Sequence, residues 1–546
     1  MAGILARGAR GAVVAPHALA TAAGLRILAA GGHAVDAAIA TNAVLAVVMP
    51  NGCGLGGDAF WLVWDEAAGE QVGLNGSGWA PAGCDPDRLR EQGIDRIPLR
   101  GPLPVTVPGA VRSWAEAHRR WGRLSREAVL GPAVEQASVG FPAWVGLIDA
   151  VEATSASVAH APWGEGFRAV WRPADRPWRP GERVRLPALA GTLTALAADG
   201  FDTFYDGALG ERLVGGLVRA GAPFALDDLR AYQASWTTPV STTYRGIRVT
   251  SHPPNSSGLV ALELLNAMAR FAPPSGARFT PAGWSAATWP HVLLEAAKLA
   301  YAERDRYLAD PAFVDVPVDR LLSESHAMEL AARISPSRAD QEPAACRTLV
   351  GGTIYLGVVD PAGNAVSLIQ SNASGFGSGV LDPVTGVHFH NRGASFSLDP
   401  SHVNVMAPRK RPAHTLLPGM LFREGERRPW IVAGSMGGDI QPQIHAAFVS
   451  AVVDAGADIG TAVAAPRVTV EPDGWLAAPT RVLADGSLAP GVEADLVALG
   501  HTVARVPYDG SLGHEHAIEL VDGGPAAGGS LAAATDPRSA GLPSVL

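Results

Sequence analysis

The stretch "GGTIYLGVVDPAGNAVSLIQSNASGFGSG", residues 351–379, carries the features on which the fold turns. From Thr353 onward, "TIYLGVVD", the turn "PAGN" and "AVSLIQS" spell a β-hairpin of β-branched and apolar residues. Directly before it stand Gly351 and Gly352, residues that weaken a strand because they lose the most backbone freedom and pack no side chain. The pair exposes a carbonyl in front of one hydroxyl. A threonine hydroxyl is a weak nucleophile until a base takes its proton, and the residue's own free α-amine is one such base. An α-amine has a pKa of about 7.7–8.0, which suits that task near neutral pH. An internal threonine has no free amine, so the bond before it must first be cut. The Thr353 hydroxyl can do this by attacking the Gly352 carbonyl, giving an ester that water hydrolyses. Taken alone, Gly-Gly-Thr before a strand more often marks a loop entering a sheet.

Working outward, "ISPSRADQEPAAC" before the glycines is polar, has two prolines and no hydrophobic period, and reads as a mobile segment that supplies slack. Residues 16–48 read as two Ala-rich helices broken at Gly31 and Gly32, the second apolar nearly all round and therefore buried. "PNGCGLGGDAFWLVW" is a Gly-rich loop running into a buried strand from Ala59 to Trp64, without the Lys-Ser/Thr of a phosphate loop. Residues 109–140 and 188–235 read as amphipathic helices, and the Trp-, Pro- and Arg-rich stretch 155–187 as a surface excursion. "YRGIRVTSHPPNSSG" gives a strand, a turn and a helix from about Gly258, and "HVLLEAAKLAYAERDRYLAD" a helix ending near Asp310. After the hairpin, "GVHFHN" reads as a third strand, "PWIVAG" as a fourth and "QIHAAFVSAVVDAG" as a helix. Strand runs framed by buried helices predict sheets covered by helical layers.

The 546 residues are 47% hydrophobic, ample for a large core, with a net charge of -9. No basic stripe points to nucleic acid. Lys298 and Lys410 are the only lysines, so Schiff-base and Ser-Lys chemistry have few candidates. Cys53, Cys84 and Cys346 are odd in number and far apart, making neither a disulfide framework nor a zinc set. The N-terminus has no apolar core long enough for a signal peptide, and no run of about 20 apolar residues predicts a membrane span. A reducing, cytoplasmic compartment is the expectation.

"AAGGHAVDAAIATNAVLAVVMPNGCGLGGDAF", "PVTVPGAVRSW", "YRGIRVTSHPPNSSG", "EAAKLAYAERDRYLADPAFVDVPVDRL", the opening stretch and "ATDPRSAG" follow one another in an order that resembles the γ-glutamyltranspeptidase family of N-terminal-nucleophile hydrolases, over nearly the whole length. The resemblance implies a four-layer αββα sandwich. It also implies self-cleavage into a large subunit, 1–352, and a small subunit, 353–546, that share one core and stay associated, alone or as a dimer of such pairs. Thr353 matches the family's nucleophile, with Gly352 on the other side of the cleaved bond. Ser371 occupies the place of a threonine that hydrogen-bonds the nucleophile. Gly437 and Gly438, in "GSMGGDIQPQ", match the glycines whose N–H groups form the oxyanion hole, a sensible choice where a backbone must approach closely and a helix N-terminus follows. Asn391 matches an asparagine that orders the site.

The substrate-gripping positions depart from the family. Where it holds the donor's α-carboxylate with an arginine and two hydroxyls, this chain has Ser77, His414 and Thr415. Where it holds the α-amine with an aspartate and a neighbouring acidic or amide residue, it has Ser395 and Arg392. A family asparagine aligns with Ala373, with Asn372 adjacent. Charged hydrogen bonds contribute roughly 1.5–3 kcal/mol each, so losing two groups of them costs about 3–6 kcal/mol, or ~10²–10⁴ in specificity. The expectation is an amidohydrolase acting through a threonine acyl-enzyme on a small amide whose acyl group is anionic and not strictly γ-glutamyl, as the family's cephalosporin-type acylases and oxamate amidohydrolase imply. Arg392 is its candidate anchor, with a surface or structural ion pair as the alternative. The alternatives for function are true γ-glutamyl transfer or glutathione hydrolysis, and a non-catalytic binding paralogue. No cofactor is expected, and no metal, because the "HFH" at 388–390 has no third ligand cluster.

Overall fold

The computed structural model describes residues 3–173, 175–274, 276, 278–340, 352–470 and 481–546. Gly351, Cys346 and the latter part of the polar segment before Thr353 lie outside the described residues. Two seven-stranded antiparallel sheets face one another. The first runs Ser544–Val545, Ala12–Val14, Gly352–Val359, Ala365–Ala373, Asp58–Asp65, Glu70–Gly76, Ser235–Thr237 in spatial order. The second runs Ile4–Gly8, Ser530–Thr535, His514–Val521, Ile431–Met436, Gly419–Phe422, Ile247–Ser251, Val240–Tyr244.

Every residue from Gly352 to Val359 and from Ala365 to Ala373 is buried. A strand covered on both faces has no polar side to show, so its sequence reads as a near-continuous apolar run. Ile354, Leu356 and Val358 point to the helical layer of Ala18–Ala29 and Ala34–Val48. Tyr355 points the other way, among Phe60, Ile369 and Leu416 between the sheets. Val359 and Ala365 meet Met420, Val432 and Ile518 of the opposite sheet. The outer face of the second sheet is closed by helices Gly258–Met268, Thr288–Tyr307 and Gln441–Val453. These are the four layers, α, β, β and α, that the sequence led us to expect.

Three expectations need correction. The stretch 155–187 lies mostly at the surface but is more than an excursion. It contributes the helix Glu165–Trp171, whose Phe167 and Trp171 are buried against Phe376 and His388. Its proline and arginine content hid two aromatic anchors. "GVHFHN" forms only a two-residue strand, Val387–His388, paired with Leu381–Asp382 in a separate ribbon. Beyond it the backbone turns to bond elsewhere, His390 N–H to the Gly56 carbonyl. The described beginning of the polar segment is also pinned. Lys298 donates to the Asp340 carbonyl, and the Asp340 N–H donates to Glu295. Among the described residues no helix is long and apolar enough to cross a membrane.

Candidate active site

Thr353 opens its strand beside Ser371, and the register shifts at Gly352: Gly352 pairs with Ala373 and Thr353 with Ser371. Asn372 is therefore the extra residue of a bulge, a device that re-aims neighbouring side chains. A Cβ on Gly352 would lie 2.5 Å from the Asn51 carbonyl and 2.9 Å from the Gly375 nitrogen. Only glycine lets the chain pass between these two loops, which is the structural reason for a glycine before the strand.

The hydroxyls of Thr353 and Ser371 are 2.9 Å apart and nearly inaccessible to solvent. Ser371 Oγ donates to the Gly352 carbonyl at 2.8 Å and accepts from the Ala373 N–H at 2.8 Å. A serine hydroxyl has one proton and two lone pairs. Its proton is spent on Gly352, so in the remaining bond Thr353 is the donor. A directed chain results, from Thr353 O–H to Ser371 O–H to the Gly352 carbonyl. It leaves lone pairs on the Thr353 oxygen while polarising the carbonyl that precedes it. Asn391 secures the far side of the bulge. Its Oδ1 accepts from Ser374 N–H at 2.9 Å, its Nδ2 donates to the Leu99 carbonyl at 2.8 Å, and its N–H bonds the Asn372 carbonyl.

Gly437 and Gly438 end the strand Ile431–Met436 and start a helical turn that leads into Gln441–Val453. Their φ values are 154° and 59°, backbone that favours glycine. N–H groups in the first turn of a helix have no intrahelical acceptor and are open to an anion. The ring of Tyr355 sits on Gly434 so closely that a Cβ there would approach it to 2.2 Å, which docks this strand against the Thr353 strand.

A cavity of about 350 Å³ is lined in part by Ser395, His414, Thr415, Asp439, Arg304 and Ser257. Arg392 does not itself line this cavity: it is buried, 1% exposed, on the helical turn Arg392–Ser395, behind the lining residues Ser395 and Thr415. Its Nη2 donates to Thr415 Oγ1 at 3.1 Å, and its Nη1 lies 3.5 Å from Ser395 Oγ. Among the described residues it forms no ion pair. Burial pulls the guanidinium down to about 10, opposed by the more distant charges of Asp58 and Asp439, so it is a cation at neutral pH. The ion pair weighed as its alternative, surface or structural, is not found among the described residues.

His414 presents a cavity wall, but both of its nitrogens face inward. Nε2 is 3.1 Å from Asp58 Oδ2, and Nδ1 takes the Leu416 N–H. Burial and the neighbouring Arg392 push its pKa down to about 3, so it is neutral and donates to Asp58 through Nε2. Asp58, fully buried, also lies 3.4 Å from His390 Nδ1 and accepts from Gly78 N–H. Burial favours its neutral form, yet the two imidazoles and the Gly78 N–H outweigh this and hold it below the usual carboxylate range. Asp58 was missed in the sequence. The signal was there, a single acid at the head of the apolar run "DAFWLVW".

Of the expected substrate contacts, Ser77, Asn372, Asn391 and Arg392 do not line this cavity, nor do Thr353, Ser371, Gly437 and Gly438. Ser77 is fully buried, its hydroxyl donating to Asn75 Oδ1 at 2.7 Å and accepting from Asn255 Nδ2. Asn372 is also fully buried and donates to the Pro50 carbonyl. The "HFH" histidines have structural partners: His388 takes the Trp171 indole N–H, and His390 Nε2 bonds Thr106.

The γ-glutamyltranspeptidase family model matches residues 20–546. The chain is 38% identical over 536 residues to the glutathione hydrolase-like YwrD proenzyme of Bacillus subtilis (strain 168), covering 98% of each. It is also 38% identical over 538 residues to the oxamate amidohydrolase proenzyme of Klebsiella pneumoniae, covering 97% of each. The crystal structure of a cephalosporin acylase from Bacillus halodurans superposes with a TM-score of 0.90 at 34% identity, over 99% of this chain and 97% of that one. With two facing sheets, flanking helical layers and this agreement along nearly its full length, the chain belongs to the γ-glutamyltranspeptidase family and carries its amide-hydrolase fold.

Proposed function

We propose that the chain cuts itself between Gly352 and Thr353, and that the freed Thr353 then hydrolyses small amides with an anionic acyl group. The observation that carries the first step is the directed chain from Thr353 through Ser371 to the Gly352 carbonyl. Thr353 Oγ1 attacks the Gly352 carbonyl carbon, and the C–N bond breaks as the C–O ester forms. Water hydrolyses the ester, leaving a Gly352 carboxylate on the large subunit, 1–352, and an α-amine on the small subunit, 353–546. In turnover that amine takes the Thr353 proton as Oγ1 attacks the substrate carbonyl, and passes it to the departing amine. The N–H groups of Gly437 and Gly438 stabilise the oxyanion in both tetrahedral stages. Water then resolves the acyl-enzyme.

The acyl preference rests on Arg392, a buried guanidinium held by two neutral hydroxyls and facing no carboxylate within ion-pair distance among the described residues. Its fork suits a substrate carboxylate. An α-ammonium in the same place would meet a like charge. Relatives named as an oxamate amidohydrolase and as acylases are consistent with this.

Intact mass of the purified protein tests the cleavage. Two pieces, 1–352 and 353–546, are expected, and one chain for Thr353→Ala. A different new N-terminus sinks the assignment. A matched pair tests the specificity, a γ-glutamyl amide against the glutaryl amide that differs only by the amine. The glutaryl compound should have the equal or higher kcat/KM, and Arg392→Ala should erode its advantage by roughly 10–100-fold, the value of one charged hydrogen bond. A strong preference for the γ-glutamyl compound returns the chain to ordinary γ-glutamyl transfer.

A further inference from the structure

Behind the Gly437–Gly438 turn lies a second cavity, of about 60 Å³, that the proposed chemistry does not use. Its walls are aromatic and aliphatic: Phe279, Trp284, Trp289, Leu293, Ile444 and Phe448 among them. Phe279 stacks edge-on to Trp284 at 5.5 Å between centroids, and Trp284 to Trp289 at 6.2 Å. Phe279 and Trp284 are half-buried, which puts a mouth at this corner. One carboxylate lines this space. Glu515 is 1% exposed, and neither of its oxygens has a hydrogen-bond partner among the described residues.

A buried carboxyl with no partner is costly in either protonation state. The surrounding charges do not explain it. Arg467 pairs with Asp536 at 2.6 Å and donates to the Gly513 carbonyl, while Arg538 pairs with Asp485 and Asp536. Among the described residues two cations and two anions balance one another there, so a Glu515 that gave up its proton would be the single surplus negative charge. A cation that bound beside it would take the place of that proton. A metal ion fits poorly, because hard cations take six or more oxygen ligands and this lining is apolar apart from Glu515, Arg467 and Ser450. An organic ammonium fits well. Its charge meets the carboxylate, and its alkyl groups meet aromatic faces through cation–π and apolar contact. The size agrees: a buried water needs at least ~10–15 Å³ of such space, so 60 Å³ admits a group of a few heavy atoms.

We propose that this cavity is a binding site for a small alkylammonium ion, seated on Glu515 against the Trp284 and Trp289 rings. The site touches the machinery indirectly. Glu515 pairs with Ser435 two residues before Gly437, and Ile444, which lines the cavity, would lie 2.9 Å from a Cβ on Gly437. An occupant thus braces the turn that presents the Gly437 and Gly438 N–H groups.

The test is thermal unfolding of the full chain in methylammonium, trimethylammonium or sodium chloride at matched ionic strength. The alkylammonium salts should raise Tm along a saturating curve that sodium does not reproduce. Glu515→Gln, of nearly the same shape, should weaken that binding at least tenfold, the loss expected for one charge-assisted hydrogen bond. Trp284→Ala, at the mouth, should weaken it roughly threefold or more by removing one cation–π face. An equal shift with sodium, an unchanged curve in Glu515→Gln, or no saturable shift at all overturns the proposal. The last of these leaves a cavity that holds only water.

Discussion

Ser371→Ala removes one oxygen and with it three hydrogen bonds, to Thr353, Gly352 and Ala373. The three do different work. The bond to the Gly352 carbonyl strengthens as that oxygen gains charge during self-cleavage. Losing one donor to a developing oxyanion costs roughly 10²–10³ in rate. The bonds with Thr353 and Ala373 exist in the ground state. Leaving two buried donors unpaired costs about 1–3 kcal/mol each, so the fold should lose about 2–6 kcal/mol. Turnover by the matured enzyme should suffer less than cleavage, because the substrate oxyanion is then held by Gly437 and Gly438, and Ser371 only orients Thr353. Ser371→Thr, which keeps the hydroxyl, should retain cleavage. The assay is a time course of intact mass after purification, with Tm measured alongside to show that the chain is folded. Turnover is then scored per mole of cleaved protein. A folded Ser371→Ala chain that cleaves within a few-fold of the parent rate refutes the reasoning. So does a variant whose turnover falls more than its cleavage.

Gly437→Val should lower turnover by at least ~10²-fold and slow self-cleavage as well, since both steps pass through an oxyanion; near-parental rates in the two assays remove Gly437 from that role. The pH dependence of stability should carry a signature of Glu515. Burial raises its carboxyl to about 8, with Asp536 adding and Arg467 opposing. Between an unfolded value near 4.3 and that figure, the folded chain holds a proton that the unfolded chain has released. Stability therefore falls as pH rises through this window, by about 1.4 kcal/mol per unit. Glu515→Gln lacks this slope, so its Tm relative to the parent should climb from acid toward pH 8; parallel profiles contradict the assignment.

What was legible in the sequence follows what local pattern encodes. The hairpin from Thr353 could be read because both of its faces are buried and the turn residues are unambiguous. The two helices before Val48 and the strand into Trp64 stood out for the same reason. What escaped was decided by contacts between segments distant in sequence. The need for glycine at 352 comes from the Asn51 carbonyl and the Gly375 nitrogen, which no periodicity displays. Trp171 looked like a surface residue because its neighbours are prolines and arginines, yet it is held by Phe376 and His388, more than 200 residues on. Matching to the family placed Thr353 beside Ser371 and Arg392 with Ser395, but set Thr415 with His414 at the other end of the donor, whereas Arg392 bonds Thr415. It could not tell that Ser77 and Asn372 have their polar groups turned into the interior.

The departures at the substrate end belong to one electrostatic rearrangement. Ser77, which the sequence match sets at the family's arginine, is locked to Asn75 and Asn255 and carries no charge of its own, while Arg411 donates to its carbonyl. The cation proposed to meet the substrate is Arg392, on the turn after Asn391. A lone buried guanidinium costs several kcal/mol without compensation. Asp58 supplies part of that compensation without an ion pair to Arg392, and its Oδ2 lies 3.1 Å from His414 Nε2 and 3.4 Å from His390 Nδ1. A direct Asp58–Arg392 pair would have satisfied the guanidinium and closed it to a ligand. An acid held outside ion-pair distance lowers the cost of keeping the charge buried while leaving the fork unpaired by any carboxylate of the described residues. On the proposed reading His414 is a spacer, because both of its ring nitrogens are engaged, with Asp58 and with the Leu416 N–H. An anionic acyl group that reached Arg392 would add the close partner that the protein itself withholds.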